Sequence, residues 1–159
     1  MSYKREKSPD ETKAQVIVRM FPSDANPAGN VFGGELLKHI DMVAGIVAQR
    51  HSQSNAVTVS MDSVNFLKPV YVGNVLKFDA RMNYVHKSSM EIEVKVEAED
   101  IASGNETVAA NAFVTFVALG KDGRPTPVPK LLLKTDDDRK KFEEGKQRMQ
   151  QRLLNRKNK

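Results

Sequence analysis

Residues 33–51 read Gly33-Gly34-Glu35-Leu36-Leu37-Lys38-His39-Ile40-Asp41-Met42-Val43-Ala44-Gly45-Ile46-Val47-Ala48-Gln49-Arg50-His51, and the reading of the fold starts from them. Leu36, Leu37, Ile40, Val43, Ala44 and Val47 recur at the spacing of one helical face, so a helix runs from about Glu35 to His51. Met42, Ile46 and Ala48 add apolar groups on other faces. A helix apolar nearly all round is a buried helix. Its longest unbroken apolar run, Met42 to Ala48, is seven residues. A membrane span needs about 20, so this helix belongs inside a protein core.

Outward from this helix the chain reads as β. Gln15 to Phe21 alternates loosely and forms a first strand, ended by Pro22. Ser23 to Asn30 is a loop of turn formers. After the helix, Val57, Val59 and Met61 alternate with Thr58, Ser60 and Asp62 in a strand over residues 56–66, broken at Lys68-Pro69. Val75 to Tyr84 is a third strand, His86 to Ser89 a turn, and Met90 to Ile101 a fourth strand. There Ile92, Val94, Val96 and Ala98 face the core, while Glu91, Glu93, Lys95, Glu97 and Glu99 face water. Ser103-Gly104-Asn105 closes a hairpin onto the last strand, Glu106 to Leu119. From about Thr135 the chain forms a charged helix, with Thr135 or Asp136 as N-cap. One strand, one buried helix and four long strands in hairpin succession give an α+β class. The expected organisation is a flexible start over 1–12, one domain over 13–130 and a charged helical tail over 131–159. A single copy leaves an edge of its sheet unpaired, so a homo-oligomer that pairs or covers that edge is expected.

Composition narrows the functions. The 159 residues are 40% hydrophobic and 28% charged, which suits one soluble domain. The net charge is +5, but from Lys134 onward there are ten Lys/Arg against five Asp/Glu, and the remainder is balanced at 15 of each sign. The basicity is the tail's, without interleaved aromatics, so no nucleic acid is an expected partner. The chain has no Cys, which removes disulfides, thiolate metal sites and a Cys nucleophile together. His39, His51 and His86 have no metal-ligand spacing, so no metal and no cofactor are expected. G-x-S-x-G, a Walker loop and the dinucleotide fingerprint are absent. The charged start lacks a secretory h-region, so a cytoplasmic location without a membrane partner is expected.

One residue breaks the pattern of the helix. Asp41 lies between Ile40 and Met42 in a segment, Ile40 to Ala48, otherwise wholly apolar. Asp is a poor residue for a helix interior and costly to bury without a partner. Lys38, three residues back, offers a surface ion pair, yet the flanking apolar residues leave little room for a polar stripe. A carboxylate withdrawn from water holds a proton more tightly and suits the work of a general base or nucleophile. Gly33 and Gly34 precede it at a helix start, where free N–H groups favour negative charge, including a developing oxyanion. On its own the pair equally reads as a loop-to-helix joint. Asn26, held extended by Pro27, reads as a turn residue or as an amide that orients a carbonyl. Lys87, Ser88 and Ser89 offer donors to a phosphate, and Asn65 and Lys68 offer a cleft wall, though a polar turn and a strand end explain them as well.

Taken together, Asn26-Pro27-Ala28-Gly29-Asn30-Val31-Phe32-Gly33-Gly34-Glu35-Leu36-Leu37 and Ile40-Asp41-Met42-Val43-Ala44-Gly45 resemble the signature of the acyl-CoA thioesterases with the hotdog fold. The likeness is to the bacterial YciA-like branch and the mammalian cytosolic acyl-CoA hydrolases. Residues 57–73 continue it, and it covers about residues 13–120. The resemblance implies a five-stranded antiparallel sheet wrapped around the central helix, with protomers paired through one continuous sheet and the pairs assembled as a hexamer. It implies hydrolysis of acyl-CoA to free acid and coenzyme A, which enters as part of the substrate. Asp41 is then the catalytic acid, Asn26 comes from the partner protomer, and the helix N-terminal amide of Gly34 or its neighbour polarises the thioester carbonyl. Phe32, Gly33, Asn65, Lys68, Lys87, Ser88 and Ser89 are the candidates for holding substrate. The rival of another class is a non-catalytic acyl-CoA sensor or carrier on the same fold. Such regulators carry a DNA-binding segment, and residues 1–12 are too few for a helix-turn-helix.

Overall fold

The structure, a computed structural model, describes residues 5–159. In chain order its elements are β1 (Glu6–Lys7), α1 (Pro9–Thr12), β2 (Ala14–Arg19), a single 3-10 turn (Pro22–Asp24), α2 (Gly33–Ser52), β3 (Asn55–Phe66), β4 (Val75–His86), β5 (Ser89–Glu99), β6 (Glu106–Leu119), β7 (Lys130–Leu131) and α3 (Asp136–Lys157). β2 to β6 form a five-stranded antiparallel sheet in the order β2-β4-β5-β6-β3. The sheet wraps α2, so the hotdog architecture expected from the sequence is present. Among the described residues no helix is long and apolar enough to cross a membrane.

Hydrophobic spacing explains the wrap. Leu36, Ile40, Val43, Ala44, Val47 and Ala48 of α2 are buried at helical intervals. They meet the inward-facing alternate residues of the sheet: Leu76, Phe78 and Met82 of β4, Ile92, Val94 and Val96 of β5, and Ala112, Val114 and Phe116 of β6. Register irregularities in β3, β4 and the β5–β6 ladder bend the sheet around the helix. α2 is not apolar-covered on every side, because Met42 remains 47% exposed.

Three sequence expectations change. The four long strands are not in hairpin succession: β3 pairs with β6 at the far edge, and only β4, β5 and β6 form a meander. The connection over residues 67–74 is too long for a tight hairpin, and Val70 anchors it in the core, its carbonyl accepting from Val31 N at 2.8 Å. The start of the chain is not frayed from Glu6 onward. β1 pairs parallel with β7, Ser8 and Thr12 are buried, and Lys7 Nζ donates to the carbonyls of Arg50 and His51 that end α2. Residues 1–4 of that expectation lie outside the described residues.

The third change concerns the sheet's outer face. Glu91 and Glu93 do not face water, because α3 lies across them. Tyr84, Glu91, Thr115 and Ser60 are register partners in one row across β4, β5, β6 and β3, and Arg81, Glu93, Phe113 and Asp62 form the next. α3 follows these rows. Asp137 and Asp138 pair with Arg81, Lys141 with Glu93, Arg148 with Glu91, and Arg152 with Asp62. A helix advances about 5.4 Å per turn and strands lie about 4.8 Å apart, so one turn of α3 meets roughly one strand. The charges of the tail are therefore its docking stripe. Burial works to raise the Glu93 carboxyl, and the Lys141 ammonium, the Asn83 amide and Arg81 outweigh it, leaving it below the usual carboxylate range.

Candidate functional site

Asp41 projects from α2 toward the edge strand β3, where Thr58 Oγ1 donates to Asp41 Oδ1 at 2.6 Å. The hydrogen bond is charge-assisted and fixes one carboxylate oxygen, leaving the other open. Lys38 does not take this carboxylate; it pairs with Glu35 at 2.8 Å. Thr58 reaches Asp41 because β3 bulges. Thr58 is in register with Phe116 and Ser60 with Thr115, so Val59 is the extra residue. Without the bulge Thr58 and Ser60 would share a face; with it, Thr58 turns toward α2 and Ser60 toward α3. Among the described residues β3 pairs only with β6, which leaves its other edge open.

The water-poor crevice expected around Asp41 is not built by one protomer. Asp41 is half-buried and Thr58 exposed. Met42, next to Asp41 on α2, is itself 47% exposed, and Val57 and Val59, which flank Thr58 along β3, are 40% and 45% exposed, Val59 lying on the α3 side of the strand with Thr115 and Arg152.

The other candidates divide into two places. Near the start of α2, a crevice of about 210 Å³ brings together Asn26, Gly33, Phe66 and Lys68 over Leu36 and Val70. Asn26 Oδ1 accepts from Ala28 N at 3.0 Å, closing an Asx turn and presenting its NH₂ group as a donor. Phe32 is the N-cap residue, and its side chain makes no capping hydrogen bond to the first turn of α2. Glu35 N donates to Phe32 O at 2.9 Å, so the N–H groups of Gly33 and Gly34 are the ones available to an anion or a carbonyl oxygen. Gly34 has a packing reason as well: a Cβ at this position would overlap the Phe32 ring. Asn65 does not enter the crevice; its amide donates to Ser63 O at 2.9 Å and to Asn111 Oδ1 at 3.2 Å.

Lys87, Ser88 and Ser89 stand at the other end of α2. Lys87 O accepts from Val128 N, and His51, near the end of α2, reaches Pro129 O at 2.8 Å. At 1.5 Å per residue the start and end of α2 are about 28 Å apart, so this hairpin and the Asn26 crevice of one protomer are not one site. The same rise separates Gly34 from Asp41 by about 10 Å along the axis, too far for both to reach one carbonyl group.

Two residues that sequence reasoning did not single out matter here. Thr58 was read as one polar position among Thr58, Ser60 and Asp62, and no sequence signal marks the bulge that sets it apart. Arg152 falls within the charged helical tail, where its guanidinium reaches Asp62 Oδ2 at 3.0 Å, Thr115 Oγ1 at 2.6 Å and Ser60 Oγ at 3.4 Å. His39 donates Nδ1–H to Glu35 O and stacks on Phe78, away from Asp41. Among the described residues no group of three or more acids and histidines is placed to hold a metal ion.

Residues 28–104 match the family described as Thioesterase superfamily. The chain is 41% identical over 128 residues to an uncharacterised acyl-CoA thioester hydrolase of Bacillus subtilis, covering 80% of this chain and 74% of that protein. It is 42% identical over 139 residues to the cytosolic acyl coenzyme A thioester hydrolase of Rattus norvegicus, 86% of this chain but only 36% of the rat protein. The chain thus spans about a third of the length of that mammalian relative. Among solved structures, an acyl-CoA hydrolase of Staphylococcus aureus in complex with butyryl coenzyme A, coenzyme A and coenzyme A disulfide superposes with a TM-score of 0.89 at 35% identity, covering 96% of this chain and 93% of that one. That hydrolase has also been solved as single variants in which an Asp, an Asn or a Thr is replaced by Ala. A hexameric acyl-CoA thioesterase superposes with a TM-score of 0.90 at 29% identity, over 94% of this chain and 96% of that one.

Proposed function

Since the chain belongs to the acyl-CoA thioester hydrolases of the thioesterase superfamily, we propose that it cleaves acyl-CoA to a free acid and coenzyme A, with Asp41 at the reacting carbonyl. The observation that carries this is the Asp41–Thr58 hydrogen bond at the open edge of β3. The three substituted positions of the staphylococcal hydrolase support it: Asn to Asp spans 15 positions and Asp to Thr 17, the separations of Asn26, Asp41 and Thr58 here.

In this mechanism the free oxygen of Asp41 takes a proton from water as the water attacks the thioester carbon, or attacks that carbon itself to form a mixed anhydride as the thiolate leaves, which water then hydrolyses to the free acid and the Asp41 carboxylate. Thr58 holds the carboxylate in place. The carbonyl oxygen gathers negative charge and is met by the uncapped N–H groups at the start of an α2 and by the Asn26 amide. The thiolate of coenzyme A leaves and takes up a proton.

The polarising groups come from the partner protomer. Because Gly34 and Asp41 of one α2 are about 10 Å apart, one chain cannot supply both. Gly34, Lys38, Asp41 and Gly45 share one stripe of α2 at helical spacing. Two antiparallel α2 helices crossing near Lys38 about a two-fold axis would set each Asp41 opposite the other's Gly34. The open β3 edges would then pair into one continuous sheet, and three such pairs would give a hexamer. Lys68, in the Asn26 crevice, is the cation proposed for the phosphates of coenzyme A. Lys87, Ser88 and Ser89 contribute only from another protomer. A cytoplasmic location accords with the name of the mammalian relative.

The test uses acyl-CoA substrates of increasing chain length with thiol release as the readout. Asp41→Ala is expected to lose turnover while keeping its assembly. Asn26→Ala and Asp41→Ala proteins, mixed under conditions of subunit exchange, are expected to regain part of the activity, because hybrid dimers contain one intact site. Full activity of Asp41→Ala refutes the chemistry; no recovery despite demonstrated exchange refutes the shared site.

A further inference from the structure

We infer that Arg152, on the C-terminal helix, is a positioning residue that holds the bulged segment of β3 so that Thr58 meets Asp41. The inference rests on the hydrolase reading for its kinetic consequence, and on the geometry alone for its structural one.

Two irregularities interrupt the β3–β6 ladder, one between Thr58 and Ser60 and one between Asp62 and Asn65. Only Ser60, Met61 and Asp62 lie in regular register between them. A short ladder flanked by bulges, on a strand with one free edge, is weakly held in register. The Arg152 guanidinium clamps both ends of it. Nε pairs with Asp62 Oδ2 at 3.0 Å, while Nη1 donates to Ser60 Oγ at 3.4 Å and to Thr115 Oγ1 of β6 at 2.6 Å. Ser60 Oγ in turn donates to Asp62 Oδ2 at 3.2 Å. The planar fork of arginine suits this three-point grip, which a lysine ammonium cannot reproduce in full.

The grip bears on the inner face of the same strand. Arg152 holds Ser60 from outside, Val59 is the bulge, and Thr58 points inward to the carboxylate at 2.6 Å. A slip of one residue at the bulge would carry Thr58 to the other face of the sheet. The earlier turns of α3 are fixed on β4 and β5 by the Arg81, Glu93 and Glu91 pairs. The C-terminal helix is thus a strap whose last anchor lies directly behind the catalytic edge.

A residue that only stabilises the fold and a residue that acts through Thr58 make different predictions. Arg152→Ala is expected to lower kcat about tenfold with KM within twofold, since small misplacements of a reacting group cost rate steeply. In a Thr58→Val background the same substitution is expected to lower kcat less than twofold, because the contact it supports is already gone. Arg152→Lys, which retains the Asp62 pair, is expected to keep an intermediate kcat and replaces Arg152→Ala in the cycle if the latter fails to fold. Hydrogen exchange over residues 56–64 is expected to speed up in Arg152→Ala while that of β4 is unchanged. Independent, multiplicative effects of the Arg152 and Thr58 substitutions overturn the inference, as does unchanged exchange in the β3 segment. The exchange measurement needs no turnover: a wild-type protein that cleaves no acyl-CoA removes the hydrolase reading, while exchange still decides whether Arg152 holds the strand.

Discussion

Removing the Arg148 side chain tests whether the charged stripe of α3 docks this helix. Glu91 is 3% exposed and its carboxylate receives Arg148 Nη2–H at Oε1 at 2.7 Å and a shared Nε–H, 3.1 Å from Oε2 and 3.2 Å from Oε1. The same guanidinium lies 3.7 Å from the centre of the Phe113 ring. In Arg148→Ala a buried carboxylate loses its partner, a change that costs about 3–5 kcal/mol when the charge stays dry. Arg148 is itself 26% exposed, so water enters the gap and the lower end applies. With the lost cation–π contact, the docking of α3 weakens by about 3 kcal/mol, roughly two decades in its opening equilibrium. The assay is hydrogen exchange across residues 136–157 at fixed protein concentration, because assembly also affects protection. Protection of α3 is expected to fall by about two decades while the β4–β5 core changes little. Replacing both partners, Glu91→Leu with Arg148→Leu, is expected to restore most of it, since an apolar pair leaves no orphaned charge. A loss under tenfold in Arg148→Ala, or a double replacement as damaging as the single one, refutes the reasoning.

Gly145→Ala is expected to destabilise α3 docking by about 1–2 kcal/mol although alanine is the better helix former, because the new methyl would stand 2.7 Å from Tyr84 Cβ and 3.0 Å from Glu91 Oε1; urea titration followed by circular dichroism reads the sign. Burial lowers the affinity of His51 for a proton, and Pro129 O takes its Nε2–H, leaving a buried Nδ1 without a partner, so the folded state holds the neutral ring. The unfolded chain therefore binds the proton first as pH falls below about 6.5: stability is full above that value and declines below it, and His51→Gln, which keeps a donor for Pro129, is expected to flatten this limb of a melting-temperature profile. Glu93 and Asp138 are also held below the usual carboxylate range against their burial, Glu93 by Lys141, Asn83 and Arg81 and Asp138 by the amides of Lys134 and Thr135 with Arg81, so a second loss, read as α3 exchange, is expected below about pH 4.5. Lys38→Cys, in a chain with no native Cys, is expected to form a disulfide-linked dimer on mild oxidation, read on a non-reducing gel; no dimer would place the helix crossing elsewhere.

The sequence carried α2 and the strands because their signals are local. Ile40, Val43 and Val47 mark a helix face whatever surrounds them, and Ile92, Val94 and Val96 mark an inner strand face. The route of β3 to the far edge was not legible, since strand order depends on where the 67–74 connection lies, and Val70 anchors it only in the folded chain. The alternation of β5 was read correctly, but its outer face was assigned to water because nothing in Glu91 or Glu93 names Arg148 or Lys141 as partners. Charged docking stripes and solvated helices have the same composition. At the site, Asp41 stood out because a lone acid among apolar residues is a local anomaly. Thr58 did not, because a bulge is a property of two strands in register and leaves no mark in one.

The half-buried state of Asp41 in one protomer is itself informative about how activity and assembly connect. A carboxylate that stays in contact with water costs the free protomer little, so the chain can fold without stabilising a dry charge. Met42, beside it on α2, is held ready but open. In the proposed dimer a second copy would cover Met42 and the open β3 edge, apolar burial would drive the pairing, and the same event would withdraw water from the carboxylate and strengthen its interactions with the partner's amide donors. The Thr58 hydrogen bond offsets part of the desolvation cost and keeps the oxygen pair aimed. On this account the cost of drying the acid is met by the interface rather than by the fold. Variants that weaken the β3 edge should then lose turnover in step with assembly, and at a protein concentration well above the dimer dissociation constant their turnover per dimer should return to that of the wild type.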